Sequence, residues 1–376
     1  MTALSGSRIL ITTDAIGGVW TYSGTLARAL TRRGVHVLLV TLGPAPTEPQ
    51  LAELRKLPNV EVEITDFALE WMDPQGDDVE RTRRGLAKIA QRANPDIVHL
   101  NSYREALCHW PSPVLVMAHS CVRSWWLACR GEQPTEAHWL TYISYVEAAL
   151  AAADMWIAPS KAFRDHIQLL YAPPQPGHVI HNGIDTTPRV LSKESFVLAA
   201  GRLWDEAKNV ATLLAAADNI EWPLKLAGSG RLSGSASRVN VEALGDVPRG
   251  ELLSLMGRAP IFVAPAVYEP FGLSVLEAAA AGCALILSDI PTFRELWSDA
   301  AMFVEPRNAS QLADALQRVC GDAPRRAELQ RAAILRAARY SAAAMLDGHC
   351  QAYERLLGNA GADISRRQRD LAEMYA

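Results

Sequence analysis

Short apolar runs alternate with amphipathic segments along most of the chain. The first apolar run, RILITT, is followed by a loop with two adjacent glycines, a helix-like segment closed by Gly34, and a second apolar run, VHVLLVTL. A strand buried in a parallel sheet is apolar on both faces, whereas the helix that connects two such strands is apolar on one face. The order therefore predicts a βαβ unit at the start of the chain.

This alternation continues along the chain and is interrupted once. Further strands are predicted at VEVEIT, DIVHLNS, VLVMAHS and MWIAPS, with helices at residues 78–93, 140–153 and 161–171. Residues 173–195 are rich in Pro, Gly, Thr and Ser, as linkers are. Beyond them the strands FVLAAGRL, PLKLAG, PIFVAPA and ALILSD again alternate with helices. We therefore predict an α/β fold with two doubly wound, Rossmann-like domains that face a cleft and are joined near residue 185.

Composition narrows the class of protein. The chain has 376 residues, of which 49% are hydrophobic and 21% are charged, and its formal net charge is −4. This length suffices for two domains, and the charge does not favour nucleic acid as a partner. No apolar run reaches the ~18 residues that a membrane-spanning helix needs, and the N-terminus lacks the pattern of a signal peptide. We expect a cytoplasmic protein whose six cysteines are reduced and mostly buried.

The segment EPFGLSVLE places two glutamates on either side of a strand-to-helix turn. A helix that begins near Leu273 offers unpaired N–H groups and a positive dipole end to an anion, and Gly272 lets the backbone approach that anion closely. Glu269 before the turn and Glu277 inside the helix are suited to hydroxyl groups. The pair favours a ligand with phosphate in the middle and hydroxyls at both ends, such as a nucleotide diphosphate sugar. The alternative is a surface glutamate and a second glutamate that complements the helix dipole.

The segment GRLWDEAKN adds two cations after a predicted strand. Arg202 offers a fork of donors and Lys208 a point charge, and together they suit the two phosphates of a diphosphate leaving group. Neutralising the charge that develops on a leaving group stabilises the transition state. The alternative is a solvated loop in which these cations pair with Asp205 and Glu206.

Two glycine loops and one histidine complete the candidate chemistry. Gly17 and Gly18 lie between the first strand and the first helix, where backbone amides can meet a phosphate or a sugar. The second cluster, AGSGRLSG at 227–234, only weakly resembles a dinucleotide fingerprint, and we interpret it as a loop. His119 ends a predicted strand and faces the cleft, where it is either a structural histidine or a hydrogen-bonding partner of a sugar hydroxyl.

Taken together, these motifs resemble the family 4 glycosyltransferases of the GT-B fold, which are retaining enzymes that use activated sugars. The resemblance extends over nearly the whole chain. It rests on Gly17 and Gly18, His119, HNGID at 181–185, GRL with Arg202 and Lys208, LAGSG, LGDVPRGELLSLM, and EPFGLSVLE with Glu269 and Glu277. The family loop usually reads like GRLSPEKG, so Trp204 and Asn209 are departures that affect the expected donor more than the expected activity.

The resemblance implies a role for each motif. Arg202 and Lys208 would hold the diphosphate, Glu269 the transferred sugar and Glu277 the ribose, while His119 would contact the sugar near its reacting carbon. The remaining donor contacts would come from backbone amides of Phe271, Gly272 and Leu273, from Gly17 and Gly18, and from Gly228 and Val247, which frame the base.

The resemblance also implies roles for the domains. Residues 1–185 would form the acceptor side and residues 186–350 the nucleotide-sugar side. Residues 351–376 would form a C-terminal helix and tail that cross back to the N-terminal domain.

The implied activity is retaining transfer of a sugar from a nucleotide diphosphate sugar to a hydroxyl acceptor, namely a glycan, a lipid-linked glycan or a small molecule. The chain contains no Asp-x-Asp triplet, so we expect no metal and no cofactor. On the same scaffold, a non-catalytic nucleotide-sugar-binding protein and an epimerase or sugar phosphorylase are the alternatives. The base, the sugar and the acceptor stay open at this point.

Two features concern the acceptor. Trp125 and Trp126 lie in a less regular stretch and are candidate acceptor contacts, whereas Trp139, Tyr142 and Tyr145 recur at three-residue steps, which fits either core packing or an acceptor wall. A basic helix face could give weak peripheral contact with the inner face of an anionic membrane, or it could be a solvated surface. That face carries Arg81, Arg84, Lys88 and Arg92.

Overall fold

The N-terminal half of the molecule is a seven-stranded parallel sheet in the order β3-β2-β1-β4-β5-β6-β7. The computed structural model describes residues 4–185, 190–230 and 240–374, with side chains as far as residue 359. The strands are β1 (Arg8–Asp14), β2 (His36–Leu42), β3 (Val60–Ile64), β4 (Ile97–Leu100), β5 (Val114–Met117), β6 (Met155–Ala158) and β7 (His178–Val179), and the helices are α1 (Gly18–Thr31), α2 (Glu48–Arg55), α3 (Val79–Ala93), α4 (Val122–Arg130), α5 (Ala137–Ala152) and α6 (Lys161–Tyr171), with a 3-10 turn at Arg104–Leu107.

The C-terminal half repeats this design with a six-stranded parallel sheet in the order β10-β9-β8-β11-β12-β13. Its strands are β8 (Val197–Ala200), β9 (Leu224–Ala227), β10 (Val241–Gly245), β11 (Ile261–Ala264), β12 (Ala284–Ser288) and β13 (Ala301–Val304), and its helices are α7 (Val210–Ala217), α8 (Arg249–Arg258), α9 (Leu273–Ala280), α10 (Pro291–Trp297), α11 (Ala309–Gly321) and α12 (Ala323–Ala337), with a 3-10 turn at Glu206–Lys208. The last helix is α13 (Ala342–Met374). The predicted fold class, two Rossmann-like α/β domains, is confirmed.

Each sheet is covered on both faces, which explains why its strands are continuous apolar runs. Leu10 of β1 belongs to one buried cluster, whereas its neighbours Ile9 and Ile11 belong to the cluster on the opposite face. In the second sheet, Phe262 and its neighbour Val263 are divided in the same way. Successive side chains of a strand point to opposite faces, so a strand with helices on both sides needs apolar residues at every position.

The C-terminal helix α13 returns to the N-terminal domain, as predicted. Its residues Met345, Leu346 and Tyr353 are buried in the same cluster as Ile9 of β1 and Leu26 of α1. The predicted domain boundaries at residues 185 and 350 stay predictions. Each described helix is too short or too polar to span a bilayer.

Several elements were not anticipated from the sequence. Trp125 and Trp126, which we placed in a less regular stretch, belong to the nine-residue helix α4. The strands β10 and β13 and the helices α2 and α10–α12 were also missed, as was the short strand β7, which lies within the predicted linker at 173–195. In the predicted loop at 227–234, Ala227 is the last residue of β9, residues 228–230 are outside any helix or strand, and residues 231–234 lie outside the described residues.

The chain passes between the domains at two points, and these two segments are bonded to each other. Ile184 forms a parallel bridge with Ser341, with hydrogen bonds from Ile184 N to Tyr340 O and from Ala342 N to Ile184 O. The adjacent Gly183 is so close that a Cβ atom on it would lie 2.2 Å from the Ser341 carbonyl oxygen. Only a residue without a side chain fits at this crossing.

We therefore expect Gly183→Ala to destabilise the protein, because the two crossing segments must separate. The free energy of unfolding should fall by about 1–3 kcal/mol, measured by urea unfolding. Gly250→Ala is the matched control, since its Cβ would meet nothing within 4 Å and alanine favours the helix α8. Equal stability of the two variants would contradict the close packing at the crossing.

Candidate active site

The predicted site residues lie at the carboxyl ends of strands, close to the position in each sheet where the strand order reverses. In both sheets, that position lies between the first strand of the domain and its fourth, β1 and β4 or β8 and β11. Crevices for ligands form there because the loops of the two adjacent strands diverge. The residues that follow these strand ends are Gly17 after β1, Asn101 after β4, His119 after β5, Arg202 after β8 and Glu269 after β11.

The glycine loop of the N-terminal domain packs directly against the predicted phosphate site of the other domain. Gly17 has φ 73°, and a Cβ atom on it would lie 3.7 Å from Arg202 Nη1. A Cβ atom on Gly18 would lie 3.6 Å from Leu273 Cδ1. Gln50 of α2 supports this loop by donating a hydrogen bond to the Ala15 carbonyl oxygen. The loop thus lies in van der Waals reach of Arg202 and Leu273, and the positive φ of Gly17 is a backbone conformation that favours glycine.

Arg202 is held by a buried carboxylate that the sequence suggested only as a counter-charge. Its guanidinium Nη2 donates to Asp205 Oδ2 at 2.9 Å, and Trp125 Nε1 of the N-terminal domain donates to Asp205 Oδ1 at 3.0 Å. Burial opposes ionisation of Asp205, but the hydrogen bonds from Trp125 and Arg202 hold its pKa below the ordinary value. Asp205 is therefore an anion that fixes the position of Arg202 and links the domains.

Lys208 and Glu269 form an ion pair beside a small cavity. Lys208 Nζ lies 2.6 Å from Glu269 Oε2, and the two side chains are 23% and 15% exposed. The cavity between the ends of β8 and β11 is lined by both of them, together with Gly201 and Ser274. The structure thus brings the predicted cation and the predicted acid into direct contact, 61 residues apart in sequence.

The turn between Glu269 and Glu277 has the geometry expected of an anion-binding helix start. Gly272 precedes α9 with φ 88° and ψ 67°, a left-handed conformation that glycine adopts at little cost. A Cβ atom there would lie 3.3 Å from Glu269 Cγ. Phe271 is buried against Tyr340, and Leu273 is the first residue of α9. The first N–H groups of the helix therefore follow a turn in which glycine leaves room beside Glu269.

Glu277 is buried inside α9 and carries a partner that sequence reasoning missed. Its side chain is 5% exposed, and Arg249 Nη2 of α8 donates to Glu277 Oε1 at 2.5 Å. Burial raises the pKa of Glu277, and the charge and hydrogen bond of Arg249 oppose that rise. The arginine is visible in the neighbouring segment VPRGELL, but its partner lies 28 residues further along the chain, and no local signal connects the two.

The two residues predicted to frame the base lie at the edge of the same sheet. Gly228 N donates to the Gly245 carbonyl, and a Cβ atom on Gly228 would lie 1.7 Å from the Gly201 carbonyl oxygen. Val247 is half-buried and packs against the core cluster of the domain. Gly228 is therefore required for the loop after β9 to touch the loop that carries Arg202.

His119 lies after β5 on the opposite wall. Its Nε2 atom is 2.8 Å from Asn101 Oδ1, and its ring meets Tyr22 edge-on with a centroid distance of 4.6 Å. Burial lowers the pKa of His119 to about 3. The imidazole is neutral at physiological pH, so it can form hydrogen bonds but carries no charge.

The aromatic residues considered for the acceptor are mostly packed inside the protein. Trp126 is buried, Trp125 is committed to Asp205, and Arg130 stacks 4.1 Å from the Trp126 ring centroid. Tyr142 is in the core, and Trp139 packs against it, as the core alternative predicted. An acceptor role for Trp125 and Trp126 stays a prediction, and their placement favours a role in the contact between the domains.

Other residues at the contact between the domains were missed. Tyr268, which precedes Glu269, accepts a hydrogen bond from Cys121 N at 3.1 Å and bonds the Ser124 hydroxyl at 2.9 Å. The carbonyl of Pro270, which follows Glu269, accepts from the Ser160 hydroxyl at 2.7 Å. Both neighbours of Glu269 are therefore attached to the N-terminal domain, at the starts of α4 and α6.

A further missed residue, Asp14 at the end of β1, has its pKa raised to about 6 by burial.

Comparison with known proteins identifies the family. Residues 16–188 match the family described as Glycosyltransferase Family 4, and residues 186–336 match Glycosyl transferases group 1. The chain belongs to the family 4 glycosyltransferases of the GT-B fold. The resemblance inferred from the motifs is thereby confirmed, and the two matched segments together contain every described strand of this glycosyltransferase-family protein except β1.

Two curated relatives illustrate the match. An alpha-maltose-1-phosphate synthase of Mycolicibacterium smegmatis is 32% identical over 42% of this chain and 49% of its own length. A glycogen synthase of Mycobacterium tuberculosis is 28% identical over 84% of this chain and 86% of its own length. The chain therefore spans about half of the first relative and most of the second.

Two solved structures share the fold. A sucrose-phosphate synthase from Thermosynechococcus elongatus superposes with a TM-score of 0.77 at 19% identity, covering 94% of this chain and 99% of that one. The Anabaena protein HepE, solved in complex with UDP-glucose, gives a TM-score of 0.73 at 17% identity and covers 93% and 100%. At these identities the likeness extends to the fold alone.

The expectation that no metal is needed stays a prediction. Within residues 4–185, 190–230 and 240–359, no group of three or more His, Cys, Asp or Glu side chains is arranged to hold a metal ion.

The Lys208–Glu269 pair can be tested without a substrate. Lys208→Met leaves the mostly buried Glu269 without its cation and should lower the free energy of unfolding by about 2 kcal/mol, measured by urea unfolding. Glu269→Gln in the same chain should recover part of the loss, because the uncompensated charge is gone. Lys56→Met, from the exposed pair with Glu53, is the control and should change stability by about 0.5 kcal/mol or less. A Lys208→Met variant as stable as this control would contradict the pairing.

Proposed function

We propose that this protein transfers a sugar from a nucleotide diphosphate sugar to a hydroxyl acceptor, with retention of anomeric configuration and without a metal ion. The observation that carries the proposal is the position of Arg202, which is fixed by Asp205, faces the glycine loop of the opposite domain, and lies on the same sheet edge as Lys208 and the start of α9. Family membership supports it, as do the relatives whose names denote sugar-transferring synthases.

The diphosphate is the group that this arrangement suits best. Arg202 would bind it through its planar fork, Lys208 as a point charge, and Gly272 and Leu273 through backbone N–H groups at the helix start. When the bond between sugar and phosphate breaks, negative charge develops on the leaving diphosphate. Arg202 and the backbone N–H groups are already in place and stabilise that charge without reorganisation, whereas Lys208 must first leave Glu269.

The hydroxyl groups at both ends of the donor would be bound by the two glutamates. Glu269 would accept hydrogen bonds from hydroxyl groups of the transferred sugar. For the sugar to reach Glu269, Lys208 must turn from the carboxylate toward the phosphate. Glu277, whose Oε1 is bonded to Arg249, would use Oε2 for the ribose diol. Gly228 and Val247 would frame the base, and Phe271 would contribute a backbone amide.

Two features support a mechanism without a carboxylate nucleophile. The start of α9 separates Glu269 from Glu277, and Glu277 is buried and bonded to Arg249, so the pair does not have the open arrangement in which retaining glycosidases place an acid and a nucleophile. The protein cations would do the electrostatic work that a divalent metal does elsewhere. The acceptor hydroxyl would then attack on the face that the diphosphate leaves.

The names of the relatives and the charges of α3 bear on the acceptor. The curated relatives named above are an alpha-maltose-1-phosphate synthase and a glycogen synthase, which favours a sugar or glucan hydroxyl. A lipid-linked acceptor with weak membrane contact stays a hypothesis. On the basic helix α3, Arg81, Arg84 and Arg92 are each paired with a carboxylate, which compensates their charge. Flotation of the protein with anionic but not neutral vesicles would support that contact.

A thermal-shift screen against UDP-, ADP- and GDP-sugars tests the donor assignment. We expect one class of donor to raise the melting temperature by several degrees, because a ligand that binds only the folded state stabilises it. Arg202→Ala should abolish the shift, whereas Arg258→Ala, from the remote surface pair with Glu194, should keep it. Stabilisation by none of the donors, or an unchanged shift in Arg202→Ala, would overturn the assignment.

Retention and metal independence are tested on the product. With the donor from the screen and maltose or glucose 1-phosphate as acceptor, NMR of the new glycosidic bond should show the anomeric configuration of the donor. The rate should be unchanged, within about twofold, by EDTA, because the cations that balance the diphosphate belong to the protein. An inverted product, or activity that needs added Mg²⁺ or Mn²⁺, would refute this part of the proposal.

A further inference from the structure

A buried polar cluster lies beneath His119 and joins three distant parts of the chain. Its members are Tyr22 of α1, His99 of β4, and His349 and Tyr353 of α13, none more than 1% exposed. The Tyr22 hydroxyl is 2.6 Å from His349 Nε2 and 3.4 Å from His99 Nε2, and His99 Nδ1 is 2.6 Å from the Tyr353 hydroxyl. Buried polar groups are costly unless every one of them is hydrogen-bonded, so the protons in this cluster must follow a definite pattern.

The carbonyl of Met345 determines where that pattern begins. His349 Nδ1 lies 2.8 Å from this carbonyl oxygen, which can only accept a hydrogen bond. Burial lowers the pKa of His349 to about 4, so the ring is neutral and has one proton, which must be on Nδ1. His349 Nε2 is then an acceptor, and the Tyr22 hydroxyl donates to it.

The remaining protons are fixed by the same logic. The single hydroxyl proton of Tyr22 is used on His349, so at the contact between Tyr22 and His99 the histidine Nε2–H is the donor. His99 is also neutral, because burial holds its pKa well below the ordinary value. Its Nδ1 therefore accepts from the Tyr353 hydroxyl. Every polar atom of the cluster that faces a partner is satisfied by this one arrangement.

A second set of bonds determines the proton position on His119 itself. Asn101 Nδ2 is 2.6 Å from the Thr12 carbonyl oxygen and 3.1 Å from the Ser23 hydroxyl. The carbonyl can only accept, so the amide nitrogen must point to it and Asn101 Oδ1 must point to His119. Nε2 of His119, 2.8 Å from that oxygen, therefore carries the proton, and Nδ1 is left as an acceptor.

The two sets of bonds meet at His119, because the Tyr22 ring packs edge-on against it. We propose that Asn101 and, through Tyr22, His349 of the C-terminal helix are positioning residues that hold His119 as an Nδ1 acceptor for a sugar hydroxyl in the cleft. This inference rests on the proposed function for its ligand. The C-terminal helix, remote from the cleft in sequence, thus supports the wall of the site opposite Arg202.

The role requires an uncharged His119. The titratable groups that face it are Tyr22 on α1, His99 on β4 and His349 on α13, and the other neighbour, Asn101, is neutral. None of these groups is an anion, so nothing in the cluster stabilises an imidazolium. If His119 gained a second proton, Nδ1 would become a donor and could no longer accept from a hydroxyl.

The first test reads the proton positions directly. Histidine is labelled with ¹⁵N in the full-length chain, and long-range ¹H–¹⁵N spectra distinguish the two neutral tautomers and the charged ring. We expect Nε2–H for His119 and His99 and Nδ1–H for His349 at pH 7, and no protonation of His119 down to pH 5.5. An Nδ1–H tautomer at His119 would overturn the proposal. This measurement needs no substrate, so its result is independent of whether the proposed transfer is observed.

The second test uses the rate of transfer or hydrolysis of the donor selected by the thermal-shift screen. His349→Phe keeps the volume but removes the acceptor of Tyr22, and we expect kcat to fall about tenfold with KM for the donor within about twofold. His349→Gln, whose side-chain oxygen can accept from Tyr22, should restore most of the rate. Tyr22→Phe should match His349→Phe, and the double variant should be no slower than either, because both changes break the same contact. His36→Phe, on the exposed end of β2, is the control.

Asn101→Asp gives a readout that a purely structural role would not produce. The carboxylate still accepts from His119 Nε2–H but stabilises the imidazolium, so the pKa of His119 should rise. The variant should then lose activity as the pH falls from 8 to 6, while the wild type changes little over that range. A folded His349→Phe protein with the wild-type rate, or an Asn101→Asp protein with the wild-type pH profile, would overturn the proposal. Should His349→Phe fail to fold, His349→Gln and Asn101→Asp still decide it.

Discussion

The carboxylate of Asp205 bonds to both domains and to the predicted phosphate-binding cation at the same time. Its two oxygens accept from Arg202 on one side and from Trp125 of the opposite domain on the other, and Oδ1 also accepts from Ala207 N. A buried carboxylate is costly to keep ionised unless several donors surround it. Since those donors come from both halves of the chain, the position of Arg202 depends on the domains being together.

Glycine makes this arrangement sterically possible. Gly17 brings the backbone of one domain to Arg202, and Gly228 brings the loop after β9 onto the carbonyl of Gly201, the residue before that arginine. A side chain at Gly228 would hold the two loops apart, whereas glycine at Gly17 is favoured by its positive φ. The position of Arg202 therefore depends also on a backbone contact at Gly228, which contains no charged residue.

The fold could be predicted from the sequence because its signals are local. The run KAFRDHIQLLY predicted a helix at 161–171, and α6 occupies those residues, with Ser160 as its N-cap. By contrast, α4 was missed because its two adjacent tryptophans hide the helical period. The individual residues of the candidate site were also named from short motifs. Their partners were not, since Trp125 meets Asp205 across 80 residues and Arg249 meets Glu277 across a helix pair. Such contacts depend on how the sheets are placed, which no local pattern encodes.

The C-terminal helix was expected from the family resemblance to cross back, but not to take part in the site. Its apolar residues need only a hydrophobic surface to pack against. His349 needs a particular partner, Tyr22, 327 residues earlier. A buried histidine among apolar residues is costly unless its hydrogen bonds are complete, and the Tyr22 hydroxyl and the Met345 carbonyl complete them for His349. Tyr22 also packs against His119, so the hydrogen bonds of His349 lie directly behind that wall of the site. The helix α13 in turn is buried because it packs on the N-terminal domain.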